Sequence, residues 1–392
     1  MAVQSVPRSD MDIFGDEVLS DPYPHYRELR DLGPVVYLDA HDIFTLARYD
    51  DVRAALVDWQ TFSSAEGMGF NLAVNQLTQG NVEATDPPEH DRLRAILMQW
   101  LSPRRIRAFS DDIERQADDL VAALVERQSC DAIVDLARVF PALVVTDLVG
   151  MSDEMRDRMI EWGDATFQCV GPLNERAEEA FPVLEELFTL LMSITKEDLK
   201  PGSVGRAIFE ASEKGEVDED DAFQLLWDYT GPSVDTTISA IGNAIAQFAA
   251  HPDQWDLVRK DPALIAAATN EVLRFEAPIQ VLSRLALQDW QRDDAAVPAG
   301  ARVAVMFGSA NRDERHYPEP DRFDVLRNPQ DHLGFGFGVH HCVGQSLARA
   351  EVQAILKALT KRVRRIETGD AVWHLNNTMR ILKALPVSLV KD

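Results

Sequence analysis

Cys342 stands in the run Phe335-Gly336-Phe337-Gly338-Val339-His340-His341-Cys342-Val343-Gly344. Glycines around a cysteine allow a close backbone approach that bulkier side chains block, which suits a flat cofactor. The amphipathic segment 343–365 follows at once, so unpaired N–H groups and the positive end of a helix dipole favour a thiolate at Cys342. A thiolate held there is a ligand for iron. Taken alone, a cysteine in a glycine turn is more often a small buried hydrophobe.

A second constellation is Gly231-Pro232-Ser233-Val234-Asp235-Thr236-Thr237, inside a long helical pattern over 218–250. A proline within a helix frees the carbonyl four residues back, here that of Asp228, and kinks the axis. The kink makes room beside Asp235 and Thr236, an acid and an alcohol able to pass protons. Otherwise they are a mid-helix pair bonded back to the main chain. His90 and Arg94 follow Asp86-Pro87-Pro88 at i, i+4, either two cationic donors suited to a carboxylate or a plain surface pair. Arg284 shares a strand face with Leu282 in the pattern 278–284. Glu271 and Arg274 have the i, i+3 spacing of a helical ion pair.

Phe335, Gly338, His340, Cys342 and Gly344 meet the spacing Phe-x-x-Gly-x-His-x-Cys-x-Gly, which resembles the signature of the cytochrome P450 monooxygenases. The resemblance runs in order from His90 to Arg322 and Cys342. It implies a mainly α fold with a minor β region, a triangular helical prism around haem b, as a single haem domain over 1–392. Cys342 becomes the axial iron ligand, and His90, Arg94, Arg284 and His340 become donors to the haem propionates. Asp235 and Thr236 become the proton-delivering pair, although Pro232 and Ser233 depart from the small residues that usually precede the acid. Glu271, Arg274 and Arg322 become a buried charge network, since buried charges persist only when paired.

The stretches 274–280 and 307–313 look most like bacterial enzymes that oxidise or O-demethylate small aromatic acids and phenols. Met68, Phe70, Phe167, Val170, Tyr229, Ile279 and Leu282 are the expected pocket, favouring a flat, largely apolar ligand with a neutral polar group. Trp227 and Asp228 stand where benzoate-binding relatives carry an arginine and a serine, which disfavours a benzoate. A substituted-benzoate monooxygenase is the alternative within the family. A haem-thiolate peroxygenase or sensor is another, but either could dispense with Asp235 and Thr236. Outside the family, a purely structural helical protein is the bland reading.

The chain has 392 residues and a formal charge of −26, which disfavours nucleic acid and anionic membranes. Residues 1–17 show neither a signal peptide nor a membrane span. Cys130, Cys169 and Cys342 are odd in number and far apart, fitting a reducing cytoplasm. The haem domain leaves no room for a flavin or iron–sulfur module, so electrons are expected from a [2Fe–2S] or similar ferredoxin with its flavin reductase. In so acidic a chain, Arg104, Arg105 and Arg107 stand out as the docking patch, with Arg349 joining them.

The elements that must position these groups are mostly helices. Apolar periodicity predicts a hairpin over 35–48, a short helix over 50–58 and a loop over 63–80 that roofs the pocket. Scaffold helices follow over 111–127 and through much of 136–194. A turn and strand over 295–306 and a polar turn at 376–380 reaching the pocket complete the pattern.

Overall fold

The structure is a computed structural model describing residues 6–391. Helices dominate and strands are few and short, in agreement with the sequence pattern. The largest sheet has six strands in the order Arg8–Ser9, Val36–Leu38, Ile43–Leu46, Arg302–Val305, Leu282–Ala286 and Phe62–Ser63. The predicted hairpin is there: Val36–Leu38 pairs antiparallel with Ile43–Leu46, and Asp42 takes the left-handed backbone, φ 55°, in the turn. Arg284 pairs with Val303, which turns both Leu282 and Arg284 to the main cavity.

Asp235–Ala250 is the central helix. Ile238, Ala240, Ile241, Ala244, Ile245 and Phe248 are all buried, so it is apolar on nearly every side, as an enclosed helix must be. Pro103–Arg127 packs along Gln345–Thr360, presenting Ile106, Ile113, Ala117, Val121 and Leu124 at helical spacing. Pro103 opens that helix where a missing N–H costs little.

Two expectations change. The 218–250 pattern folds as separate helices, Glu219–Thr230 and Asp235–Ala250, rather than one kinked helix. Pro232 removes a donor, and four hydroxyls take carbonyls that a continuous helix would use. Thr230 donates to Leu226 (2.9 Å), Thr236 to Pro232 (3.0 Å), Thr237 to Ser233 (3.2 Å), and Ser233 to Tyr229. The 63–80 loop contains a helix, Leu72–Leu77, capped by the Asn71 side chain accepting from Val74 N–H at 3.0 Å.

A third correction concerns the charge network. Arg274 grips Glu271 through two bonds of 2.8 Å, both side chains fully buried, and its remaining N–H groups reach the Asn311 and Pro320 carbonyls at 2.9 Å. The further cation is Arg327, whose Nε lies 3.4 Å from Glu271 Oε1. Arg322 is 58% exposed and pairs with Glu319. The turn begins at Glu319, whose backbone is left-handed (φ 47°), and it faces the Asp324 N–H toward Glu271 Oε1 at 2.9 Å. Arg322 is thereby left at the surface.

Candidate active site

The loop 335–344 is shaped by its glycines. Cys342 N–H donates to the Phe335 carbonyl at 2.9 Å, closing the turn. Gly338 has φ 72°, and a Cβ there would collide with the Leu56 carbonyl, so no other residue fits. Burial pushes the Cys342 thiol up, while the N–H groups of Gly344 and Gln345, at the start of the Gln345–Thr360 helix, and the Arg94 guanidinium pull it back. At Cys130 and Cys169 burial dominates and pushes the thiols up to about 11 and about 12. Only Cys342 combines a cavity position with amides and cations that favour the thiolate.

Cys342 lines the main cavity together with His90, Arg94, Arg284 and His340. His90 is buried, with its ring edge-on to His340 at 4.5 Å. Arg94 donates to the His341 carbonyl at 2.6 Å, which ties the Glu89–Leu101 helix to the cysteine loop. Arg284 is 4% exposed, and burial lowers its pKa to about 10. Buried His340 Nε2 has no hydrogen-bond partner among the described residues; its nearest acid, Asp86, is 3.8 Å away, beyond a hydrogen bond. Burial brings His340 down to about 4. Two guanidiniums and an orphaned imidazole beside a sulfur suit a flat iron group bearing carboxylates, so the residues fit haem b.

Thr236 lines the same cavity, as do Pro232, Ser233 and Thr237. Asp235 does not. It is 1% exposed and faces Gly163, where an added Cβ would lie 2.9 Å from its Cγ. Burial pushes its carboxyl well up, Asp164 adds to that, and Arg138 opposes it. The pair predicted from adjacency is therefore split, with the alcohol toward the cavity and the acid behind it.

Met68, Phe167, Val170, Tyr229, Ile279 and Leu282 all line the cavity. Phe70 does not. Its N–H donates to Val170 O at 2.9 Å, and its ring turns away to meet Phe14 edge-on at 4.8 Å. The turn at 376–380 braces the wall rather than forming it: Thr378 donates to Phe167 O at 2.9 Å and Asn377 to Gln168 O at 2.8 Å. Trp227 and Asp228 do line the cavity, and so does Glu83, a residue without a sequence signal. Trp227 Nε1–H donates to Glu83 Oε1 at 2.9 Å.

Arg104, Arg105 and Arg107 are exposed on the first turn of the Pro103–Arg127 helix, with Arg105 over the Trp100 ring at 5.2 Å. Arg349 is otherwise employed. It donates to Asn270, lies over Phe335 at 4.8 Å, and meets His332 at 3.2 Å. It buttresses the cysteine loop, and it lines one surface hollow together with Arg107.

A family model described as Cytochrome P450 matches residues 166–382. Cytochrome p450 CYP199A2 of Rhodopseudomonas palustris is 36% identical over 98% of this chain and 95% of its own length. Beta-dihydromenaquinone-9 omega-hydroxylase of Mycobacterium tuberculosis is 31% identical over 97% of this chain and 78% of its own. Among solved structures, cytochrome P450 CREJ in complex with (4-ethylphenyl) dihydrogen phosphate superposes with a TM-score of 0.85 at 28% identity, over 95% of this chain and 98% of that one. Joined to the cysteine loop and the guanidiniums and imidazoles beside it, these matches show that the chain belongs to the cytochrome P450 family and is a haem b monooxygenase.

Proposed function

We propose that the substrate is a small, neutral, single-ring aromatic, a phenol or methoxy-arene, which the enzyme hydroxylates or O-demethylates. The observation that carries this is the Trp227-Asp228 segment: the cavity wall there offers an indole and an acid where a bound anion would need a cation. Met68, Phe167, Val170, Ile279 and Leu282 supply apolar walls for a ring. The 4-ethylphenyl group bound by CREJ, a neighbour at 28% identity, is a ring of this size. The phosphate on that ligand does not suit Asp228.

Cys342 is the iron ligand in this reading, with His90, Arg94, Arg284 and His340 holding the propionates. The haem, once bound, supplies dioxygen activation. The chain's own part is positioning and protons: Thr236 lines the cavity with its hydroxyl on the Pro232 carbonyl, and Asp235 stands one residue behind it as the acid that serves the relay. Electrons come from a redox partner, in this reading an acidic [2Fe–2S] ferredoxin meeting Arg104, Arg105 and Arg107, where charge reversal slows reduction most at low salt. Three free cysteines fit a reducing cytoplasm.

The test is a panel of phenols, anisoles and benzoates titrated into the purified enzyme, read as the Soret shift when substrate displaces iron-bound water. Phenols and anisoles are expected to shift the band and to be turned over. Tight binding and turnover of a benzoate with phenols inert would overturn the reading.

A further inference from the structure

Asp228 lies in the last turn of the Glu219–Thr230 helix and is 7% exposed; the Val82 N–H and the Glu83 carboxyl face it, yet neither of its carboxyl oxygens makes a full hydrogen bond among the described residues. A buried polar group left unpaired costs about 1–3 kcal/mol, more when charged, so natural cores rarely tolerate one. The charge facing Asp228 is another acid, Glu83, from the Val82–Ala84 turn. Glu83 is pinned by the neutral Trp227 indole, itself buried and stacked on Phe188 at 4.5 Å, rather than by a cation. The cavity's guanidiniums lie elsewhere: Arg94 reaches the His341 carbonyl, and the Arg284 guanidinium acts on His340. Asp228 lines the main cavity with both oxygens short of a full hydrogen bond.

We propose that Asp228 and Glu83 form a carboxyl pair that anchors the substrate by accepting a hydrogen bond from a donor on its ring, a phenolic O–H or a protonated amine. The proposal rests on the single-ring aromatic reading and names the residues that set its specificity. Burial and the neighbouring Glu83 both push the Asp228 carboxyl well up, which favours its protonated form. The pair presents acceptor oxygens to the cavity. A donor on the ligand satisfies them, a ring without a polar group leaves them orphaned, and a carboxylate adds a further like charge.

The experiment compares 4-methoxyphenol, 4-methoxybenzylamine, 4-methoxytoluene and 4-methoxybenzoate on the holoenzyme, reading the blue shift of the Soret band. Wild type is expected to bind the phenol or the amine about tenfold or more tighter than 4-methoxytoluene, the equivalent of one charge-assisted hydrogen bond, and the benzoate weakest. Preference for the phenol identifies a hydroxyl head and keeps the neutral reading; preference for the amine identifies an ammonium head, which supports the anchor and overturns the neutrality of the ligand. Asp228→Asn, which preserves shape, should cut the donor's advantage to about threefold or less while 4-methoxytoluene is unmoved. Glu83→Gln, a second and independent variant, should do the same. Donors that bind no better than 4-methoxytoluene, or an advantage that survives both variants, would overturn the anchor and leave the aromatic reading standing. A red shift with the amine would place its nitrogen on iron and count against the anchor. Silence to all four ligands would overturn the aromatic reading and the anchor with it.

Discussion

The Cys342 end of the cavity and the Asp228 end are built with opposite electrostatics. Around Cys342, two guanidiniums and two histidines converge, and His340 Nε2 has no partner among the described residues. Around Asp228, two acids converge, and the oxygens of Asp228 are the unpartnered atoms. Each end carries buried polar groups that only a ligand of complementary character would satisfy, so the cavity reads as a site for two different molecules. The Cys342 end is also much better braced. The buried Glu271–Arg274 pair flanks Leu273, whose carbonyl a Gly334 Cβ would meet at 2.7 Å. The Asp228 end follows a helix that stops at Thr230 and restarts only at Asp235.

If bracing separates the ends, its removal should be felt first in stability. Arg274→Leu leaves Glu271 buried and uncompensated and is expected to cost about 3–5 kcal/mol in urea unfolding. Exposed Arg322→Leu should stay within about 0.5 kcal/mol. Equal losses would restore Arg322 to the network.

The next largest effect is with pH. Burial lowers His332 to about 3, and Arg349 and His341 push the same way. The unfolded chain takes up this proton near 6.5 and the folded one does not, so stability contributed above pH 6.5 is lost as pH falls toward 3. The slope from this group is about 1.4 kcal/mol per pH unit. His332→Gln should remove it, and a variant with an unchanged slope between pH 6.5 and 5 would show that another group is responsible.

The smallest expected effect is on coupling rather than binding. Thr236→Ala should lower product per electron pair several-fold, with the difference appearing as peroxide, and leave substrate affinity within about twofold. Asp235→Asn, behind the cavity wall, should slow turnover with little change in affinity. Unchanged coupling in both would move the relay to Ser233 or Thr237, which also line the cavity.

The Cys342 end was legible because its signals are local: glycine spacing, an i, i+4 pair and a strand alternation each lie within a few residues. The Asp228 end was half legible. Asp228 and Trp227 stood out by type, but Glu83 meets Trp227 across 144 positions of sequence, a juxtaposition that no local pattern encodes. Arg327, the cation that reaches Glu271, carries no local signal, because side-chain type says nothing of the left-handed turns at Glu319 and Asn328 that decide which arginine turns inward. Phe70 was misplaced because its orientation follows from its N–H bond to Val170 O. The break at 231–234 arose from four hydroxyls acting together with Pro232, where one proline alone suggests only a kink.

The most direct test of the site is the reduced carbon-monoxide adduct of Cys342→Ser beside wild type and Cys169→Ser. Wild type and Cys169→Ser should both show the Soret band of a thiolate-ligated haem, and Cys342→Ser should lose it while the protein stays folded. A thiolate-type band that persists in Cys342→Ser would contradict the assignment and move the iron to another sulfur.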